Sequence, residues 1–245
     1  MLRAQVLKPI YIPSEHIEAE RDLLRQRNRS VKDLTRVKNR VKSILMTKGI
    51  DIPEVYAKGS QVWSKRFLTW LKQVDMGIDE FKSVLLNFIE HGEFLRVQVL
   101  KLNRQVRALS KADRYSPNAQ LVFSIPGIGL ITGMTLLTEL GPIERFAHLD
   151  QLCSYVGLIP TMHNSGNKVS VGEMTHRGRK VLKVMVIEAS WMAVRYDPAL
   201  HQRYEALRKQ GMTANKAIIR IAKKLLNRFR HVVLTQTPYQ IGVVQ

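Results

Sequence analysis

One cysteine, Cys153, stands alone among 245 residues, so no internal disulfide can form and no cysteine cage can hold a metal. Set between Leu152 and Ser154, it reads as a small interior side chain. No apolar run approaches the roughly 20 residues that cross a bilayer, which excludes a membrane-spanning helix. The stretch from Met1 to Pro9 lacks the apolar block of a secretory signal. These absences point to a cytoplasmic protein without membrane partners. Metal-ligand spacing is also missing: histidines 16, 91, 148, 163, 176, 201 and 231 do not pair, and Glu139, Glu144, Asp150, Glu173, Glu188 and Asp197 are scattered.

Negative charge is the other scarcity, with 20 Asp+Glu against 39 Lys+Arg, a net charge of +19 and a pI near 10.3. Such an excess favours polyanions, which makes nucleic acid the leading partner class and a nucleoid association the expected location.

Helical patterning dominates what is present. Ser14, after Pro13, reads as an N-cap with Glu15 and Glu18 in the first turn, and nothing breaks the helix before Gly49 and Pro53. Leu24, Val31, Leu34, Val37, Val41 and Ile44–Leu45 form its apolar seam; Arg29, Arg36 and Arg40 belong to its basic surface. A short aromatic helix follows around Trp63, Phe67 and Trp70. In the next long helix Ile78, Phe81, Leu85, Phe88, Leu95, Val99, Leu102, Val106 and Leu109 keep a 3-4 register, broken at Gly92. More than four heptads predict a coiled coil, either an antiparallel hairpin or the same helices exchanged in a homodimer. Packing of both helices onto the C-terminal body is the alternative. Ser116-Pro117-Asn118 closes this arm, and the remainder is a compact, mostly helical domain. The fold expected is mainly α, with an exit segment at 1–13, a coiled-coil arm at 14–112, a C-terminal domain at 113–237 and a tail at 238–245.

Three Gly-punctuated stretches between Ser124 and Ala193 carry candidate chemistry. Pro126-Gly127-Ile128-Gly129 before an apolar helix resembles a helix-hairpin-helix element, in which the amides near Gly127 and Gly129 would hold a phosphate; a Gly turn for close helix packing is the alternative. In His163-Asn164-Ser165-Gly166-Asn167-Lys168, Ser165 is a candidate nucleophile with Lys168 as a nearby cation, although Asn-Ser-Gly alone is an ordinary turn. Thr175 reads as the N-cap of a helix that starts with Arg177, Arg179 and Lys180. Cations there oppose the helix dipole, so a bound phosphate is the reading that resolves the conflict. In the last helix, about 213–233, Ala217, Ile221, Leu225 and Phe229 share one face, while Lys216, Arg220, Lys223, Lys224, Arg228 and Arg230 form a basic rim suited to a nucleic-acid backbone.

Four blocks in order resemble the insertion-sequence transposases of the IS110/IS1111 group, the RNA-guided DEDD recombinases: Pro126-Gly127-Ile128-Gly129-Leu130-Ile131-Thr132, Ser154-Tyr155-Val156-Gly157-Leu158-Ile159-Pro160, Ser165-Gly166, and Arg177-Gly178-Arg179-Lys180-Val181-Leu182-Lys183. The segment from Val6 to Glu15 and the basic helix after it are also similar. The resemblance implies a DNA-binding recombinase acting on element ends and target DNA, with a guide RNA as a further partner and the coiled coil as the contact between subunits. It also implies that Ser165 joins covalently to DNA, with magnesium held by four acids of a RuvC-like domain in a partner subunit. No such tetrad is seen here, so no cofactor is expected in this chain. The chain is read as a C-terminal portion that cannot recombine DNA alone, or alternatively as a non-catalytic module regulating an intact transposase.

Overall fold

The computed structural model describes residues 10–57, 63–165 and 168–242; the side chains of residues 57 and 162–171 lie outside that description. The described residues are mainly α-helical, with one two-stranded antiparallel sheet. They form two compact units: Leu23–Gln105, and the described residues on either side of that span.

The first unit is built on two long helices, α1 (Glu15–Thr47) and α4 (Asp79–Leu109), with the short α2 (Glu54–Ala57) and α3 (Lys65–Gln73) between them. Its contacts run antiparallel within one chain. Arg27 donates to Asn103 at 3.0 Å, a Cβ on Gly92 would touch Val37, the Arg40 guanidinium lies 5.8 Å from the Phe88 ring centre, and Lys48 caps the ring of Phe81 at 3.1 Å. Val41, Leu45, Leu85 and Ile89 close over the aromatic group of Trp63 and Phe67, with Leu71 beside them. Burial of each such side chain stabilises by about 1.5–3 kcal/mol. Gly92, where the hydrophobic register is interrupted, faces this packed interior: a Cβ there would stand in ordinary contact with Val37 and, at 3.5 Å, with the Trp63 indole. The outer end of the expected seam is not buried. Ile78 is 53% exposed and Phe81 36%, because Phe81 serves Lys48 as a cation–π partner instead of entering the core.

The second unit contains α5 (Ser116–Phe123), α6 (Leu130–Leu140), a 3-10 turn at Ile143–Arg145, α7 (Leu149–Val156), strands β1 (Pro160–Ser165) and β2 (Lys168–Met174), then α8 (Lys180–Tyr196), α9 (Pro198–Lys209) and α10 (Ala214–Thr235). Helix α10 is the central element, packing against α5, α7, α8 and α9 through Ala217, Ile221, Leu225 and Phe229, all within 1% of full burial. Ser116-Pro117-Asn118 opens α5 with the proline in its first turn, where the absent N–H costs nothing.

Beyond α10 the chain stays anchored. Asp197 is fully buried, accepts from the Ala199 and Leu200 amides as the N-cap of α9, and takes both Arg228 and the Tyr239 hydroxyl on its other oxygen. The Tyr239 amide donates to Ser124 Oγ at 2.8 Å. Arg228 therefore neutralises a buried carboxylate and is not part of the basic rim expected for the last helix. Arg230 is also occupied, donating to the carbonyls of Phe146 and Ala147.

Candidate nucleic-acid interface

Helix α6 has one end sealed and the other open. Its last carbonyls are satisfied by side chains: Arg21 donates to Thr138 and Glu139 at 2.9 and 3.1 Å, Tyr155 to Glu139 at 3.2 Å, and Arg145 to Leu140 at 2.8 Å. Arg145 is sandwiched among Tyr11, Phe146 and Tyr155, with ring centres 4.3–4.9 Å from its guanidinium carbon. At the amino end, Gly129 is exposed and has open space where a side chain would project. Gly127 has a different role. Its φ is +86°, and a Cβ there would lie 2.2 Å from the Ala189 carbonyl oxygen of α8. Close packing of the turn on α8 requires glycine at 127, as the packing alternative expects, and this role is compatible with phosphate contact by the same turn.

The second and fourth sequence blocks are stitched to each other by backbone. Thr175 N donates to Ile159 O at 2.9 Å and Arg179 N to Tyr155 O at 3.2 Å. Between these bonds Gly157 and Gly178, both at positive φ, press together; a Cβ on Gly178 would lie 2.8 Å from the Gly157 Cα. This clasp fixes both feet of the β1–β2 hairpin. Lys183 adds a third stitch, its Nζ donating to Thr175 O at 2.9 Å. The hairpin was not legible as strands. Its register is antiparallel, with an irregularity between Pro160 and Met162, and pairs Ser165 with Lys168 at the far end of the ladder. The two expected partners are thus opposite one another in the backbone; their side chains lie outside the described residues, as does all of 166–167.

Helix α8 begins one turn later than expected. Arg179 is its N-cap, with no side-chain cap bond, and Thr175 is instead buried, accepting from the Arg177 amide at 3.1 Å. Extended pairing to Ile159 holds Thr175 out of helical geometry. Arg177, Arg179 and Lys180 are all exposed. Arg179 lies 4.0 Å from the Glu139 carboxylate and 5.8 Å from the Tyr155 ring centre. Three cations crowd the positive end of a 17-residue helix, an arrangement that costs helix stability unless an anion is present.

Of the sequence candidates, Arg177, Arg179 and Lys180 come together here, and the hairpin carrying Ser165 and Lys168 springs from the same clasp. Gly127 rests on Ala189, nine residues and about 14 Å along α8 from Lys180, so it does not join that cluster. Arg220 and Lys224 are exposed on α10. Arg29, Arg36 and Arg40 are exposed on the α1 span of the first unit, where Arg36 pairs with Asp33 at 2.6 Å. In that unit burial lowers the Lys38 pKa, assisted by the like charges of Arg96 and Lys42. Burial raises the Cys153 thiol, so it is no source of thiolate. Among the described residues no group of three or more His, Cys, Asp or Glu is placed to hold a metal ion, and no helix is long and apolar enough to cross a membrane.

Residues 119–205 match the family model described as Transposase IS116/IS110/IS902 family. The chain is 26% identical to the y4qE protein of Sinorhizobium fredii, over 83% of this chain and 47% of that protein. It is 25% identical to the transposase for insertion sequence element IS1111A of Coxiella burnetii, over 90% and 60% of the respective lengths. A pilin gene-inverting protein of Moraxella bovis is 27% identical over 58% of this chain and 45% of its own length. The chain spans about half the length of the curated relatives it matches.

Proposed function

We propose that this chain, whose residues 119–205 match the IS116/IS110/IS902 transposase family, is the DNA-engaging part of an insertion-sequence recombinase, with Ser165 as the nucleophile. The supporting observation is the Gly157–Gly178 clasp, which ties the hairpin whose first strand ends at Ser165 to the exposed cations at the head of α8. In this reading Arg177, Arg179 and Lys180 hold a DNA phosphate, neutralising charge that builds on the phosphoryl oxygens. The Ser165 oxygen bonds to phosphorus as the bond to a sugar oxygen breaks; the hydroxyl proton passes to water and the departing oxygen takes one up.

Magnesium belongs to the family's chemistry, but the described residues offer no donor set that fits it. Long-helix pairing of the α1–α4 kind is proposed as the contact between subunits, and guide RNA as a further polyanionic partner. The test is Ser165→Ala in a strand-joining assay supplied with an intact family transposase. Loss of covalent protein–DNA adducts with unchanged DNA affinity supports the nucleophile; adducts at the normal level overturn it.

A further inference from the structure

A cleft of about 300 Å³ lies between α9 and α10, well apart in sequence from the hairpin and its clasp. Arg203 and Gln202 on α9 line it with Lys224, Asn227 and Arg228 on α10, over a floor that includes Leu200. No acid is among the lining residues. Arg228 is matched by Asp197, which leaves Arg203 and Lys224 as the cleft's excess charge, and neither forms an ion pair among the described residues. The cleft is also the end of a track. Lys216, Arg220 and Lys224 are all exposed and follow one another at four-residue steps, about 6 Å apart along α10. Like charges at that spacing destabilise a helix, so their arrangement is explained by a polyanion laid along them rather than by the fold. The amino end of α9 does not contribute, since Asp197 already occupies its first amides.

We propose that the α9–α10 cleft is a second phosphodiester site: one backbone phosphate of a nucleic-acid strand sits between Arg203 and Lys224, and Gln202 and Asn227 hydrogen-bond the attached sugar or base. Arg220 and Lys216 take the adjoining backbone. The site rests on the DNA-engaging reading above and extends its footprint to a face that the four sequence blocks do not include. The shared chemistry is the phosphodiester, and DNA or RNA can supply it.

The test uses the 245-residue chain with Arg203→Gln and Lys224→Gln combined, titrated by fluorescence anisotropy against a duplex DNA and an RNA hairpin over a salt series. For the polymer that uses the cleft, affinity falls roughly ten-fold and the log–log salt slope loses about 2, one contact per cation. The charge-keeping pair Arg203→Lys and Lys224→Arg retains the slope, and both variants melt within a few degrees of the parent, which separates binding from folding. Unchanged affinity and slope for both polymers overturn the second site. If that occurs while neutralising Arg177, Arg179 and Lys180 still weakens binding, only the second site fails; if the parent chain binds neither polymer, the DNA-engaging reading fails with it.

Discussion

Arg179 reaches the Glu139 carboxylate at only 4.0 Å, at the head of α8 where Arg177 and Lys180 are exposed beside it. Arg179 is half exposed, so the pair contributes little stability. The cluster therefore keeps an excess of positive charge at the head of α8. Charge of the wrong sign for α8 has been placed where a phosphate would repair it.

Replacing Lys180 with Glu should separate the two roles. An acid in the first turn of α8 favours the dipole and should raise stability by about 0.3–1 kcal/mol. The same change should weaken DNA binding at least several-fold. Chemical unfolding and anisotropy on one preparation check both signs; a variant that loses stability and keeps its affinity contradicts the assignment.

The clasp predicts a graded response to alanine. Gly211 also has positive φ, +82°, but has open space around its Cβ position, so Gly211→Ala should cost about 1 kcal/mol from backbone strain alone. Gly178→Ala adds a collision with Gly157 backbone at 2.8 Å, and Gly157→Ala one with the Arg177 carbonyl oxygen at 2.6 Å. Each should cost clearly more than Gly211→Ala in urea unfolding and should loosen amide-exchange protection at Thr175 and Arg179.

Tyr239 sets the alkaline limit. Burial, then its hydrogen bond to Asp197, raise the phenol above its ordinary value of 10.0. The folded state holds the proton more tightly than the unfolded chain does. Its stabilisation is complete below about pH 10 and fades as pH rises toward the higher folded value. Melting temperature should fall as pH rises above about 10, and Tyr239→Phe should flatten that fall while lowering stability at neutral pH. Tyr115 shifts in the same direction through burial and leaves a residual slope.

Periodicity made the long helices legible: a 3-4 spacing with few breakers places α1, α4 and α10 within a residue or two of their ends. The Gly-rich blocks were visible too, but not what each glycine does, because Gly127 answers to Ala189 and Gly157 to Gly178, partners that no local pattern names. The hairpin is not legible in the sequence because its strands are largely polar and flank an Asn-Ser-Gly-Asn stretch that reads as an ordinary turn. Arg228 was misplaced among surface cations, although the spacing Ala217, Ile221, Leu225, Arg228, Val232 carries it onto the buried face of α10. Its partner Asp197 is 31 residues away, beyond the reach of helix periodicity.

The most direct measurement is the salt dependence of duplex-DNA binding by the parent chain and by a variant with Arg177, Arg179 and Lys180 all changed to Gln. If those side chains hold backbone phosphate, the log–log slope should shrink by about 2.7, or 0.9 for each contact, with the melting temperature unchanged or raised. An identical slope in the two proteins would contradict the placement of the DNA site at the head of α8.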